Sequence, residues 1–323
     1  MRVLVTGGAG YIGSIVSEEL VNQGHQVVVY DNLYTGHQKA VVEGAHFVRG
    51  DLMEGDLLRE TLSVHATETV IHMAADALVG DSMLNPAKFF RNNVTAGLSL
   101  LDAMNDCGIR RIVFSSTAAV YGEPERLPIE ETDPTNPKNP YGESKLAFER
   151  VLHWYEKAYG FRYVALRYFN AAGASKKYGE AHDRETHLIP LILKAAADNR
   201  PAAVFGADYA TRDGTCLRDY VHVIDIARAH ILALGILGQR STVYNIGCGN
   251  NGYTVREVIE TAREVTGKPI PERVVSRRLG DPAVLVAGNE KIKRELAWSP
   301  TMQDLHEIIA SAWEWMLQHP NGY

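Results

Sequence analysis

Val3-Leu4-Val5 is an unbroken apolar run with β-branched ends, the pattern of a strand covered on both faces. Behind it Ile12, Val16, Leu20 and Val21 recur at helical spacing. The alternation then repeats. Val27-Val28-Val29-Tyr30 and Ala45-His46-Phe47-Val48 read as strands, 54–63 as a helix, and Thr69 to Ala75 as a buried strand running into a turn of small residues. The spacing predicts one long helix over 86–107, with Phe89, Val94, Leu98, Leu101 and Met104 on its apolar face. Arg111 to Ser115 is a further strand, 141–158 a further helix, and Tyr163 to Arg167 a sixth strand. Such alternation predicts an α/β fold built on a doubly wound parallel sheet. Past residue 170 the rhythm breaks, and glycine, proline and charge crowd 170–185 and 199–219. A domain over 1–170 followed by a smaller, mixed α/β lobe over 171–323 is the expected division. Residues 221–247, helix-like and then Val243-Tyr244-Asn245-Ile246, fit equally well as a return to the first sheet.

Three glycines, Gly7, Gly10 and Gly13, separate the first strand from the first helix. Strand, glycine turn and helix N-terminus together let backbone N–H groups and the helix dipole face a pyrophosphate. A side chain at Gly10 or Gly13 would block the phosphate or the packing of helix on strand. The first domain is therefore Rossmann-like. Asp31, eighteen residues past Gly13 and at the end of the second strand, is placed to accept hydrogen bonds from an adenosine ribose. Its charge repels a 2′-phosphate, and Asn32-Leu33 supply no compensating cation, which favours NAD over NADP.

A net charge of −6 offers no footprint for nucleic acid or an anionic membrane, and no apolar stretch approaches a membrane span. An anionic ligand must be held by local arginines and backbone amides. Cys107, Cys216 and Cys248 are too scattered for a metal set or a disulfide framework and fit a reduced compartment, so no metal is expected. Met1 runs straight into the first strand, leaving no leader, and a cytoplasmic location is the expectation.

Tyr141 and Lys145 stand four residues apart, hence on one helix face, just after Pro140. A phenol titrates near pH 10, so a tyrosine acting as base near neutrality needs about three units of depression, roughly 4 kcal/mol. An ammonium within about 6 Å and a cationic nicotinamide in a partly dry site would supply it. Lys145 would also hold the nicotinamide ribose. Upstream, Ser115-Ser116-Thr117 ends a strand, and Thr117 is the hydroxyl expected to meet a substrate oxygen beside Tyr141.

TGGAGYIG (6–13), FSSTAAVYG (114–122), NPYGESK (139–145), LRYFNAAGA (166–174) and DGTCLRDYVHVIDIA (213–227) together resemble the extended short-chain dehydrogenase/reductases. The RYFN, RDYVHV and RLGDP runs narrow the resemblance to the nucleotide-sugar 4-epimerases, and it extends to HPNGY at the tail. It implies that Tyr141 is the acid and base, Lys145 its pKa-lowering partner, and Thr117 the residue at the 4-oxygen. Gly7, Gly10, Tyr11, Ile12, Gly13, Asp31, Asn32, Asp51, Leu52, Ala74, Ala75, Asn93, Ser115 and Tyr168 fall on its NAD positions. Asn170, His187, Leu188, Phe205, Arg218, Arg278 and Asp281 fall on its UDP-sugar positions. The implied chemistry oxidises C4 of a UDP-hexose (glucose or galactose) with bound NAD, lets the 4-ketose turn, and returns hydride to the other face.

Three positions depart from the pattern. Ala77 stands where some members have Lys, His187 where Asn is frequent, and Leu285 at the place that gates C2 substituents. A dehydratase or decarboxylase would share Tyr and Lys, but related dehydratases carry Asp-Glu directly after the strand-end Thr, where this chain has Ala118-Ala119. A non-catalytic NAD sensor is the remaining alternative, and both Tyr141 and Lys145 argue against it. The wide apolar arc of 141–158 (Phe148, Val151, Leu152, Trp154, Tyr155, Tyr159) points to a homodimer made with helix 86–107, the arrangement of this family.

Overall fold

In a computed structural model the described residues are 1–278 and 280–323; Leu279, inside the RLGDP run, lies outside them. Six strands follow the apolar runs: β1 (Arg2–Thr6), β2 (Gln26–Asp31), β3 (His46–Arg49), β4 (Thr69–His72), β5 (Arg111–Thr117) and β6 (Arg162–Tyr168). A seventh, Thr242–Ile246, pairs parallel with β6, so this part of the 221–247 segment lies in the main sheet. All neighbours are parallel, in the order seventh strand, β6, β5, β4, β1, β2, β3. The order reverses beside β1, which places a crevice at the carboxyl ends of β1 and β4.

Alternate residues of each strand feed two cores. Val3, Val5, Val27, Val29, Ile71 and Val113 pack on one face with Ile15, Val16 and Leu20 of α1 (Tyr11–Asn22) and with Ile226 and Ala229 of the helix Val223–Ile236. Leu4, Val28, Val70, Ile112 and Phe114 pack on the other with Leu58, Leu100, Met104, Phe148 and Leu152. Both faces are dry, which is why the strands read as continuous apolar runs rather than alternating ones.

The helix predicted over 86–107 is interrupted. Pro86–Phe90 and Ala96–Asp106 are α-helical, and Arg91–Thr95 between them is a π turn. Its cause is polar: the Asn93 amide bonds the backbone N–H and C=O of Asp76 (2.9 and 3.0 Å) and Ser144 Oγ (2.9 Å), and Asn92 donates to the Asp76 carboxylate. Likewise the run Thr69 to Ala75 leaves the sheet after His72, so that Met73–Ala75 can cross the end of β1.

The remaining elements gather at the carboxyl ends of the strands. Asn170–Ala172 pairs with Tyr220–His222, Leu217–Arg218 lies between Tyr253–Thr254 and Val284–Leu285, and Ala202–Phe205 pairs with Glu272–Val275. The helices Leu188–Ala197, Val255–Thr266 and Leu305–Gln318 share a core of their own with Ile192, Val258 and Ile308.

Candidate active site

The glycine turn is held by contacts that no side chain tolerates. Gly7 has φ +72°, and a Cβ there would lie 2.6 Å from Ala74 N; a Cβ on Gly13 would lie 2.1 Å from the Gly7 carbonyl oxygen. Gly10 is less confined, its hypothetical Cβ meeting only that carbonyl at 3.3 Å, and it caps α1 with no side-chain bond. The first turn of α1 thus presents unpaired N–H groups to the cleft that Gly10, Tyr11, Ile12 and Gly13 line. Asp31 at the end of β2 accepts from Ala9 N (3.0 Å) and Leu33 N (2.8 Å), which ties the glycine turn to the sheet and leaves further lone pairs for a ribose. Burial pushes this carboxyl up, and the two N–H bonds hold it back. Asn32 donates to Asp51 (2.7 Å), which closes the far rim of the cleft with Leu52.

Three consecutive hydroxyls at the end of β5 go three different ways. The Ser115 hydroxyl meets Tyr168 OH (2.8 Å), and Tyr168 meets His230 Nε2 (2.6 Å). His230 Nδ1 stands 2.9 Å from the Ile226 carbonyl, which can only accept, and burial lowers this imidazole to about 4. The proton is therefore on Nδ1, Tyr168 donates to Nε2, and Ser115 donates to Tyr168. Ser116 donates to Glu149 (2.5 Å), whose carboxylate is gripped by Arg167 through Nε (3.0 Å) and Nη2 (2.6 Å). Thr117 accepts the nearby Ala119 N–H (3.1 Å), which leaves its own proton to be donated on the cleft side, where Tyr141 stands.

Tyr141 and Lys145 start the helix Pro140–Tyr159, capped by the Asn139 side chain at Gly142 N (2.8 Å). Both face the same cleft as Thr117. One expectation changes here. Burial raises the Tyr141 phenol, and only the Thr117 hydroxyl pulls it down. Burial in turn lowers Lys145 to about 7, against the upward pull of Glu149 one turn on. Its ammonium donates to the Ser115 carbonyl (2.9 Å) and lies 5.0 Å from the Phe114 ring centre. A half-neutral lysine cannot supply the full ammonium field assumed from spacing alone; without a ligand's charge, desolvation outweighs it.

The opposite wall carries the arginines. Arg218, 8% exposed, pairs with Asp281 (2.7 Å), while exposed Arg278 lies 3.9 Å over the Phe205 ring. Asn170, Leu188, Leu285 and Ala77 line the space between. His187 also lines it, but its Nδ1 turns to Glu180 (2.6 Å) and Glu185 (3.0 Å). The cleft measures about 760 Å³, within the usual range for a small-molecule site.

Asn93 is the predicted residue that the cleft leaves out: it is 1% exposed and spends its amide on Asp76 and Ser144. Its neighbour Asn92 lines the cleft instead, as do Asp76, Lys138, Glu180 and His182, none of which the sequence singled out. An Asn-Asn pair in a helix interior was the one available signal, because asparagine disfavours that position unless it bonds elsewhere.

Residues 3–247 match the NAD dependent epimerase/dehydratase family. The chain belongs to that family. It is 49% identical to the UDP-glucose 4-epimerase of Lacticaseibacillus casei, covering all of this chain and 99% of that one. A crystal structure of a UDP-glucose 4-epimerase superposes with TM-score 0.97 at 48% identity, over 100% of this chain and 99% of that one. The Bifidobacterium longum UDP-glucose 4-epimerase, solved with NAD+ and UDP, superposes with TM-score 0.95 at 35% identity over the whole of both chains. NAD is the cofactor of this epimerase. The uncapped first turn of α1, the glycine cradle that a Cβ would fill, and the lone pairs of Asp31 are the donor set a dinucleotide requires. Among the described residues no helix is long and apolar enough to cross a membrane.

Proposed function

We propose that this cytoplasmic enzyme interconverts UDP-glucose and UDP-galactose by reversible oxidation at C4. The observation that carries the reading is the meeting of Tyr141, Lys145 and Thr117 in one cleft with the glycine turn, where Ala118 and Ala119 bring no carboxylate for elimination. NAD, when bound, supplies the acceptor and donor of the C4 hydride. Tyr141 takes the proton of the 4-hydroxyl and gives it back, and Thr117 hydrogen-bonds the 4-oxygen. Lys145, lowered to about 7 by burial, would hold the nicotinamide ribose and, in its charged form, stabilise the phenolate. Arg218 and Arg278, with Asn170, Leu188 and Phe205, grip the UDP, so that the sugar turns without leaving. Residues 1–170 with 221–247 hold the cofactor and bring Thr117, Tyr141 and Asn170 to the sugar nucleotide, and the rest of 171–323 completes the UDP-sugar wall.

Incubation with UDP-galactose and no added NAD, with coupled detection of UDP-glucose, tests the assignment. UDP-glucose formation is expected; a 4-keto-6-deoxy product would mean a dehydratase, and an inert protein carrying nucleotide a sensor. A homodimer accompanies this reading. Trp154 (68% exposed) and Tyr159 (50%) leave apolar surface on the Pro140–Tyr159 helix, and Leu84 and Phe90 are also exposed. Light scattering at micromolar concentration should return twice the chain mass, and a monomer would refute it.

A further inference from the structure

The segment between the Asn170–Ala172 strand and the helix Leu188–Ala197 carries Glu180, His182, Glu185 and His187, and one donor atom from each lies within 4.8 Å of all the others. We propose that these four side chains form a binding site for one divalent zinc-class ion at the lip of the cofactor cleft. Both imidazoles present the same atom, Nδ1. His182 Nδ1 stands 3.2 Å from Glu180 Oε1 and 3.3 Å from Glu185 Oε2; His187 Nδ1 stands 2.6 Å from Glu180 Oε1 and 3.0 Å from Glu185 Oε1. A single Nδ1–H can aim at one acceptor, yet each of these nitrogens faces two carboxylates. One ion at the centre satisfies all four at once.

The donor set matches the chemistry. Two imidazoles and two carboxylates can make a tetrahedral N2O2 sphere of ligand types that zinc accepts, with bonds of about 2.0–2.2 Å. Ligand atoms in such a tetrahedron stand roughly 3.3–3.6 Å apart, so the tightest pair, His187 with Glu180 at 2.6 Å, must open by about an ångström and the wider pairs close by about as much, shifts within reach of side-chain rotation. Two neutral imidazoles and two carboxylates around a dication are electroneutral. Outer contacts already orient the ligands: Glu185 Oε1 accepts from the N–H of Thr186 and His187, both at 2.7 Å. Glu180 is the most buried member, its side chain 8% exposed.

All four ligands come from eight residues with no helix or strand of their own, a stretch whose few ties to the body are side-chain contacts such as Arg184 to Asp81 (2.8 Å) and His37 Nε2 with the Ala181 carbonyl (2.6 Å). An ion there fixes the conformation of the loop itself. Because Glu180 and His187 line the cleft, it also fixes part of the wall around the cofactor and the UDP-sugar. The site rests on side-chain geometry and is independent of the epimerase reading.

The test uses the full-length protein, stripped with a chelator and re-loaded with zinc or cobalt chloride alone. One zinc per chain should survive gel filtration, and the cobalt form should show the intense visible bands of a tetrahedral ion. A zinc-edge anomalous map of crystals should place the peak among the four side chains. The variant H182A/E185Q should bind zinc more than roughly 100-fold more weakly, beyond the 10–100-fold that loss of an outer contact costs. Retention of less than about a tenth of an equivalent overturns the proposal, because the cluster is then held by protons. An unchanged affinity in the double variant overturns it too. Should that variant misfold, the cobalt spectrum and the anomalous peak of the unaltered chain still decide.

Discussion

Lys145→Met is the perturbation that separates folding from function most sharply in this cleft. The ammonium is 4% exposed and its pKa is lowered to about 7 by burial. A free lysine titrates near 10.4, so folding depresses the group by somewhat more than three units. The unfolded chain then binds more protons than the folded one between pH 7 and 10.5, and stability rises with pH across that window. At about 1.36 kcal/mol per unit, holding the lysine costs on the order of 4 kcal/mol at pH 7. Methionine of similar shape removes that cost but leaves the Ser115 carbonyl without its donor at 2.9 Å, a loss of about 1–3 kcal/mol. The balance predicts that NAD-free K145M is more stable than the parent by about 2 kcal/mol at pH 7. With about 2.1 cal/mol/K per residue for the unfolding entropy, that is a rise of about 3 °C in Tm. Near pH 10 the folded lysine is neutral and the unfolded one is still mostly charged, so the cost of holding it has fallen below about 1 kcal/mol, and the order reverses as the lost hydrogen bond dominates. Epimerisation by K145M should be abolished throughout. Calorimetry of both proteins at pH 7 and pH 10 checks this. A variant less stable at pH 7, or a difference that ignores pH, refutes the reasoning.

Tyr141→Phe should reduce kcat by about 10²–10⁴-fold, whereas Thr117→Ala, which removes one hydrogen bond worth roughly 1–1.5 kcal/mol, should cost about tenfold in the coupled assay. Gly13→Ala places a methyl 2.1 Å from the Gly7 carbonyl; the protein should purify without nucleotide, read from its absorbance at 260 against 280 nm, and activity should not return with added NAD. Leu285 is half-buried on the cleft wall, so L285G should raise turnover of UDP-N-acetylgalactosamine relative to UDP-galactose; an unchanged ratio in a substrate panel refutes its gating role.

The parallel sheet was legible because both of its faces are dry: runs such as Val3-Leu4-Val5 and Val27 to Tyr30 carry no polar position to confuse the period. The glycine turn was legible because its demands are local, a positive φ at Gly7 and a carbonyl against Gly13. What stayed hidden depends on pairs far apart in the chain. Nothing around residue 93 announces that its amide will clasp Asp76 and Ser144 and bend the helix through a π turn. Arg218 could be proposed as a cation, but its neutralisation by Asp281, 63 residues away, is a property of the fold. The same holds for Lys145, whose spacing from Tyr141 says nothing of how dry its surroundings are. The loop ligands fell outside every familiar spacing, since the pattern Glu-x-His-x-x-Glu-x-His becomes a cluster only when the loop folds back on itself.

The three hydroxyls at the end of β5 also bear on why the reaction needs no outside proton. Ser115 has spent its proton on Tyr168, which has spent its own on His230, and that chain ends on a backbone carbonyl. Ser116 is bound to the Glu149 carboxylate, which Arg167 grips. Neither can pass a proton to or from Tyr141 without breaking a buried bond, at a cost of about 1–3 kcal/mol each. Thr117 is the hydroxyl that pulls the Tyr141 phenol down, and it lines the cleft. On the proposed mechanism, a proton taken from a sugar 4-hydroxyl by Tyr141 would then stay among the phenol, Thr117, Lys145 and the substrate oxygen. Retention suits a reaction whose product has the same composition as its substrate, because the proton removed in the first half must still be present for the second.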